Sequence, residues 1–459
     1  MKRFLWLGFV LCLYLICSGC GETFRPIILP NPPVFPNPRA AHTVLSINDN
    51  GTVVPGTTMV VDVSGDTDIS VSDVGVAPVH AVQQTANQVL VVNQSSVCTP
   101  VPCNPSITKV TFSSILISGS STISLPPNSN PNFVATTEST QAYITLPGYT
   151  PPSVGVVNTN SNSLVNTIPV GTNPVAIAET PNSQKLYVAN QGDGTVSGVN
   201  TVDRSARTIN GTLTFPPIWL VARSDSQRVY VLEQTSGITG GTLGWIDTTS
   251  TAGPDTLTET SISVPAAAKL VYDGNLNRLY IPGDIVVQLN GVNVLESAVV
   301  IVDVSQSQPS TIAMIPVNAV PPLSRSASDP CSGTTAATLN NIDAASLPDG
   351  SRAYVGSYYE DSGFICPQVT VIDNVSNTMK SQIAIPGFPA FDTFCTTTRF
   401  RLMMAAAGDS SRAYLSSCDG GNVNIIDTTT DSYTSNLVAP VGSRVQNPPQ
   451  NPVFLIAGP

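Results

Sequence analysis

Charged side chains are scarce: Asp, Glu, Lys and Arg make up 11% of the 459 residues, with 19 basic groups against 30 acidic ones. No basic run is present, so a nucleic-acid strand would meet a surface that repels it, and nucleic acid is excluded as an expected partner. Histidine occurs only at His42 and His80, both on expected strand positions, and no Cys-x-x-Cys pair exists. That leaves no ligand spacing for a zinc site, and no metal is assigned. No Gly-x-Ser-x-Gly elbow accompanies either histidine, so nothing marks a nucleophile beside its base, and no catalytic residue is assigned. Only Trp219 and Trp245 lie beyond the first residues of the chain, too few for an aromatic quinone-stacking site, and no cofactor is expected. Amphipathic helical periodicity is also missing. What is abundant is Val, Ile, Thr, Ser and Asn, with 33 Gly and 39 Pro, the composition of β structure with many turns.

The amino terminus differs from the rest. Met1-Lys2-Arg3 is a short basic segment and Phe4 to Ile16 an apolar one, too short to span a bilayer comfortably and of the length of an export signal. Cys17-Ser18-Gly19-Cys20 follows and resembles the bacterial lipobox, with Cys17 where Leu is usual. The resemblance implies cleavage after residue 19 and lipidation of Cys20. Gly21 in place of an aspartate favours the outer membrane or cell surface over inner-membrane retention, with the periplasmic side as the other placement. Residues 20–39 include Pro26, Pro30, Pro32, Pro33, Pro36 and Pro38, the composition of an extended tether. Removing residues 1–19 leaves 17 basic and 30 acidic side chains, a net charge of −13.

Residues 40–459 read as one repeating domain. One signature is a turn, a basic or amide residue, then a strand with a central aromatic: Gln184-Lys185-Leu186-Tyr187-Val188, Gln227-Arg228-Val229-Tyr230-Val231, Asn277-Arg278-Leu279-Tyr280-Ile281, Ser351-Arg352-Ala353-Tyr354-Val355 and Ser411-Arg412-Ala413-Tyr414-Leu415. Weaker copies sit at Thr140–Ile144 and Asn87–Val91. The other signature is a strand ending in Asp or Asn, as in Trp245-Ile246-Asp247, Val371-Ile372-Asp373 and Ile425-Ile426-Asp427. With Tyr187-Val188-Ala189-Asn190 and Ile426-Asp427-Thr428-Thr429-Thr430, the chain resembles the YVTN-repeat β-propellers. The resemblance implies an all-β propeller of four-stranded blades, with a period of about 40 to 50 residues. First strands are expected near Pro78, Pro131, Pro174, Pro217, Ala266, Ala337 and Thr398. The segment from His42 to Val74 supplies only second, third and fourth strands, and Val453 to Ala457 is a first strand without successors. One composite blade from both termini resolves both deficits and makes eight blades, or seven if a weak unit is an insertion.

The repeated tyrosines, one per blade, are expected to fill the interior between blades. Asn48-Asp49-Asn50-Gly51 and Asp66-Thr67-Asp68 lack the full ligand series of a calcium loop and read as hairpin turns. Loops joining strands two to three, and four to the next blade, share one face, and length is concentrated there: Gln94–Ser106, Gly283–Ser297, Val317–Thr335, Ser357–Pro367 and Gly387–Thr397. The six body cysteines lie in or beside these loops, and in an exported chain they read as disulfides. Cys98 with Cys103, Cys331 with Cys366 and Cys395 with Cys418 is the simplest pairing, with Cys366 to Cys395 as the alternative. Tyr358, Tyr359, Phe364, Phe391 and Phe394, beside Glu360 and Asp361, form the candidate binding face. The expected function is that of a monomeric interaction scaffold for an envelope protein or surface ligand. The alternative is a hydrolase or lactonase-like enzyme with a metal or acidic cluster at the channel mouth.

Overall fold

The computed structural model describes residues 43–51, 54–94, 104–234, 240–251, 253–289, 291–317, 325–332, 339–390, 395, 401–439 and 451–457. Cys20, the leader and the tether therefore lie outside the described residues, as do Cys98, Cys103, Phe391 and Phe394.

Eight antiparallel sheets, each with four principal strands in meander order, succeed one another along the chain. Their inner strands are Pro78–Thr85 (blade 1), Val134–Ala135 (blade 2), Pro174–Glu179 (blade 3), Pro217–Ala222 (blade 4), Val271–Asp273 (blade 5), Asn340–Ser346 (blade 6) and Leu402–Ala406 (blade 7). Ala266, expected to open a first strand, makes only an isolated bridge to Asp284. Blade 8 is the composite one: Asn451–Ala457 pairs with Thr43–Asp49, which pairs with Pro55–Asp62 and then Thr67–Val76. The count is eight. A propeller whose last strand comes from the other end of the chain leaves no open seam in its inner layer.

Two repeated residue types hold neighbouring blades together. Tyr143, Tyr187, Tyr230, Tyr280, Tyr354 and Tyr414 are all fully buried, as aromatic filling between sheets requires. Before the last five of these tyrosines, the residue two places earlier is basic and is a clasp to the next blade. Lys185 donates to the Ser250 carbonyl at 2.6 Å, Arg228 to the Ser307 carbonyl at 2.6 Å and Arg278 to the Asn374 carbonyl at 2.8 Å. Arg352 reaches Asp431 at 2.6 Å, and Arg412 reaches Asp66 of the composite blade at 3.0 Å, across the closure of the ring. Each cation satisfies a turn of the neighbouring blade. Their recurrence in the sequence follows from that geometry.

Two of the five long connections are strands and not loops. In blade 5, Arg278–Leu289 pairs with Val292–Asp303 along their whole length, and in blade 6, Arg352–Asp361 pairs with Phe364–Asp373. Both blades raise a β-hairpin arm from the face on which the long connections emerge. Pro282 and Pro367 each sit within a strand that continues past them.

Candidate binding face

The blade 6 arm is built by its turn. Ser362 and Gly363 both have positive φ, 51° and 85°, the pattern of the two-residue hairpin turn that matches strand twist. The pairing puts Tyr358 opposite Pro367, Tyr359 opposite Cys366, Glu360 opposite Ile365 and Asp361 opposite Phe364. Phe388–Pro389 adds a third strand along Phe364 and Ile365. Cys331 is bonded to Cys366 with Cα atoms 5.8 Å apart, and Cys395 to Cys418, also at 5.8 Å. These are the two simplest pairings that fall within the described residues. The Cys395–Cys418 pair packs on Val453 of the closing strand, so a covalent bond buttresses the ring where the termini meet.

Two arginines complete the brace. Arg325 donates to the carbonyls of Ile385 at 2.8 Å and Pro367 at 2.9 Å, pairs with Asp329 at 3.1 Å and lies over the Tyr359 ring. Arg401 reaches from blade 7 to Glu360 at 2.5 Å, pairs with Asp419 at 2.6 Å and covers the Tyr358 ring at 5.1 Å. Burial pushes the Tyr358 hydroxyl pKa up.

The expected site residues divide accordingly. Glu360 is exposed, while Asp361, Phe364 and Tyr358 are half-buried on the arm. Tyr359 is different: its ring is 1% exposed and its hydroxyl faces the Cys331 carbonyl, so it holds the arm from below and offers no aromatic surface. Arg325, Arg401 and Phe388 were not anticipated. A signal for the arginines was present: in a chain with few cations, each stands six residues from a cysteine in a connection between blades.

Beneath this face the inner strands surround a cavity of about 550 Å³. In every blade the inner-strand residue opposite the second-strand tyrosine, or its leucine equivalent, is aliphatic: Val82, Ala135, Ala178, Val221, Val271, Ala345, Ala405 and Ile456. Nearer the arms, non-repeating residues converge. His80 lies 3.8 Å from Phe133 and 4.5 Å from Phe454, ring to ring, and Phe133 meets Trp219 edge-on at 5.1 Å. Lys269 sits over Trp219 and pairs at 2.6 Å with fully buried Asp343, which also accepts the Met404 backbone N–H at 2.9 Å. Burial pushes the Asp343 carboxyl pKa up and the Lys269 ammonium opposes that shift. Pro181 and Pro348 line the cavity at its other end, toward the short-turn face. Among the described residues no three His, Cys, Asp or Glu side chains are placed to hold a metal ion.

No protein-family model and no curated relative matches the chain. Solved structures do. AztD from Citrobacter koseri is 12% identical, with 90% of this chain and 97% of that one covered at a TM-score of 0.57. Hydrazine synthase of Kuenenia stuttgartiensis is 16% identical, covering 77% and 96% at 0.52, and dihydro-heme d1 dehydrogenase NirN is 12% identical, covering 89% and 75% at 0.54. Likeness at such identities is likeness of fold, and these propellers differ in what they do.

Proposed function

We propose that this chain is an exported propeller of the YVTN-repeat kind, tethered by a lipidated Cys20 and its proline-rich spacer, whose arm-bearing face captures a partner at the cell envelope. The observation that carries the reading is the brace on the blade 6 arm. A disulfide, an added strand and two buried arginines fix a hairpin whose tip carries Glu360, Asp361 and Phe364. Ordering a projecting hairpin costs conformational entropy, and a tip held rigid in advance binds without that cost. Rigid scaffolds that carry such loops are where recognition residues concentrate.

The test places a photo-crosslinking residue at Glu360 and, separately, at Val202 and Val375, which are each 87% exposed in turns of the opposite face. Crosslinking in intact cells should join a discrete envelope component to position 360 and nothing to the other two. The same component should be lost when Tyr358 and Phe364 are changed to Ala, with the melting temperature lowered by no more than a few degrees. Crosslinks from Val202 or Val375 alone would put the functional surface on the wrong side. Cys20→Ser should release the protein from membranes on mild washing, since a lipid anchor is then missing.

A further inference from the structure

The two arms differ in how their edges are finished. The blade 6 arm is guarded by an added strand, a disulfide, two arginines and acidic tip residues. In the blade 5 arm the pairs Ile285 with Glu296, Val286 with Leu295, Val287 with Val294 and Gln288 with Asn293 extend past the last neighbouring strand on either side. Among the described residues neither edge of that stretch is paired, and Val286 and Val292 are 39% and 62% exposed. Between Ile285 and Leu295 there is no Pro, no charge and no register shift. Those are the devices by which proteins blunt free edges, and an isolated two-stranded hairpin is at best marginally stable in water.

The occupant follows from chemistry and charge. A row of backbone N–H and C=O groups that only water satisfies is matched in spacing by another extended backbone. No Lys or Arg occurs between Arg278 and Arg325, where the charges are Asp284, Glu296 and Asp303, all acidic. A second copy of this acidic chain would bring like charges together, and a basic flank would not. We infer that the blade 5 arm captures an extended, alternately apolar polypeptide segment with basic flanks, by adding it as a strand. This rests on the binding role proposed for the same face and names its partner class.

The probe is a fluorescein-labelled peptide of alternating Val and Thr flanked by lysines, titrated onto the purified mature protein and read by anisotropy. Two variants are compared with the parent. Replacing Ile285–Glu296 by Asn-Gly joins Asp284 to Ser297 through a two-residue turn and keeps the blade's own pairing. Gln288→Pro removes one ladder donor. Binding should weaken by about tenfold in the Pro variant, the order of one net hydrogen bond, and vanish in the short-arm variant. A glutamate-flanked peptide should bind more weakly, and Asp203→Ala, in an exposed turn of the opposite face, should change nothing. Absence of binding, binding that survives arm shortening, or arm-dependent dimers in sedimentation would overturn the inference. Crosslinking at Glu360 persisting in the short-arm variant then shows that the binding role stands while the arm's part in it fails.

Discussion

Replacing Asp255 tests the clasp that joins blades 3 and 4. Its carboxylate is buried and accepts from Lys185 at 3.0 Å, Tyr187 at 2.7 Å and Arg207 at 2.7 Å, all from the preceding blade. Burial raises its pKa, but Arg207, Tyr187 and Lys185 together hold the carboxyl below the usual range, so it stays ionised. Asp255→Ala leaves two nearly buried cations with carbonyl acceptors only, and removing one member of a buried pair costs about 3–5 kcal/mol. A body of about 420 residues unfolds with an entropy near 0.9 kcal/mol per degree, so the melting temperature should fall by about 3–6 °C in calorimetry. Asp255→Asn should fall less, because the amide oxygen still accepts. Asp203→Ala, in an exposed turn of blade 3, should stay within about 1 °C. A drop for Asp255→Ala no larger than that of the exposed control would refute the claim that blade-to-blade charge pairs carry stability here.

Three buried carboxyls, Asp49, Glu179 and Glu233, have their pKa pushed up to about 7 by burial. Each is protonated when folded and ionised when unfolded between its ordinary carboxyl pKa and about 7. Stability should therefore fall as pH rises from about 4.5 to about 7, by an order of 3 kcal/mol per group, and be flat above that window. Glu179→Gln and Glu233→Gln should each flatten the melting-temperature profile, and an unchanged slope would count against the burial of those groups. Deleting Asn451–Ala457 should lower melting by many degrees or cause aggregation through the exposed edge of Thr43–Asp49, and unchanged melting would show that the ring closes elsewhere. Changing Cys331 and Cys366 to Ser opens a 35-residue span, worth about 4 kcal/mol in the chain-entropy account. Hydrogen exchange should then quicken first in Tyr358–Pro367, and uniform quickening would argue against a local brace.

What repeats was legible and what does not repeat was not. The tyrosine and the basic residue before it recur together in five blades because each of those meets the next through the same contact, so period-reading found the blades and the composite closure. The arm-side end of the cavity has no consensus: His80, Phe133, Trp219, Lys269, Asp343 and Phe454 occupy related inner-strand positions with five residue types among the six. Nothing in the sequence associates His80 with Phe454, which are neighbours only because the ring closes. The arms were missed for a local reason. Pro282-Gly283 and Cys366-Pro367 interrupt the strand pattern, while the pairing that overrides them is supplied by the opposite strand of each hairpin.

The unlike residues at that end of the cavity have a structural logic in the closure of the ring. The cationic clasp spans the interfaces from blade 3 to blade 8, and at the equivalent positions blades 8, 1 and 2 have Thr43, Gln88 and Gln141. Two of those three interfaces are crossed by ring contacts: His80 with Phe454 joins blades 8 and 1, and His80 with Phe133 joins blades 1 and 2. Trp219 then reaches Phe133 from blade 4. Tilted ring contacts thus add to these interfaces, where Lys109 reaching the Thr159 carbonyl at 2.7 Å is the cation between blades 1 and 2. Each aromatic contact is worth about 0.5–1.5 kcal/mol beyond its buried area. His80→Ala loses two of them together with its packing, and should lower melting by several degrees, with hydrogen exchange quickened first in Pro78–Thr85 and Asn451–Ala457. His80→Phe, which keeps a ring there, should recover most of the loss. If His80→Ala leaves melting and exchange untouched, these ring contacts are not a brace.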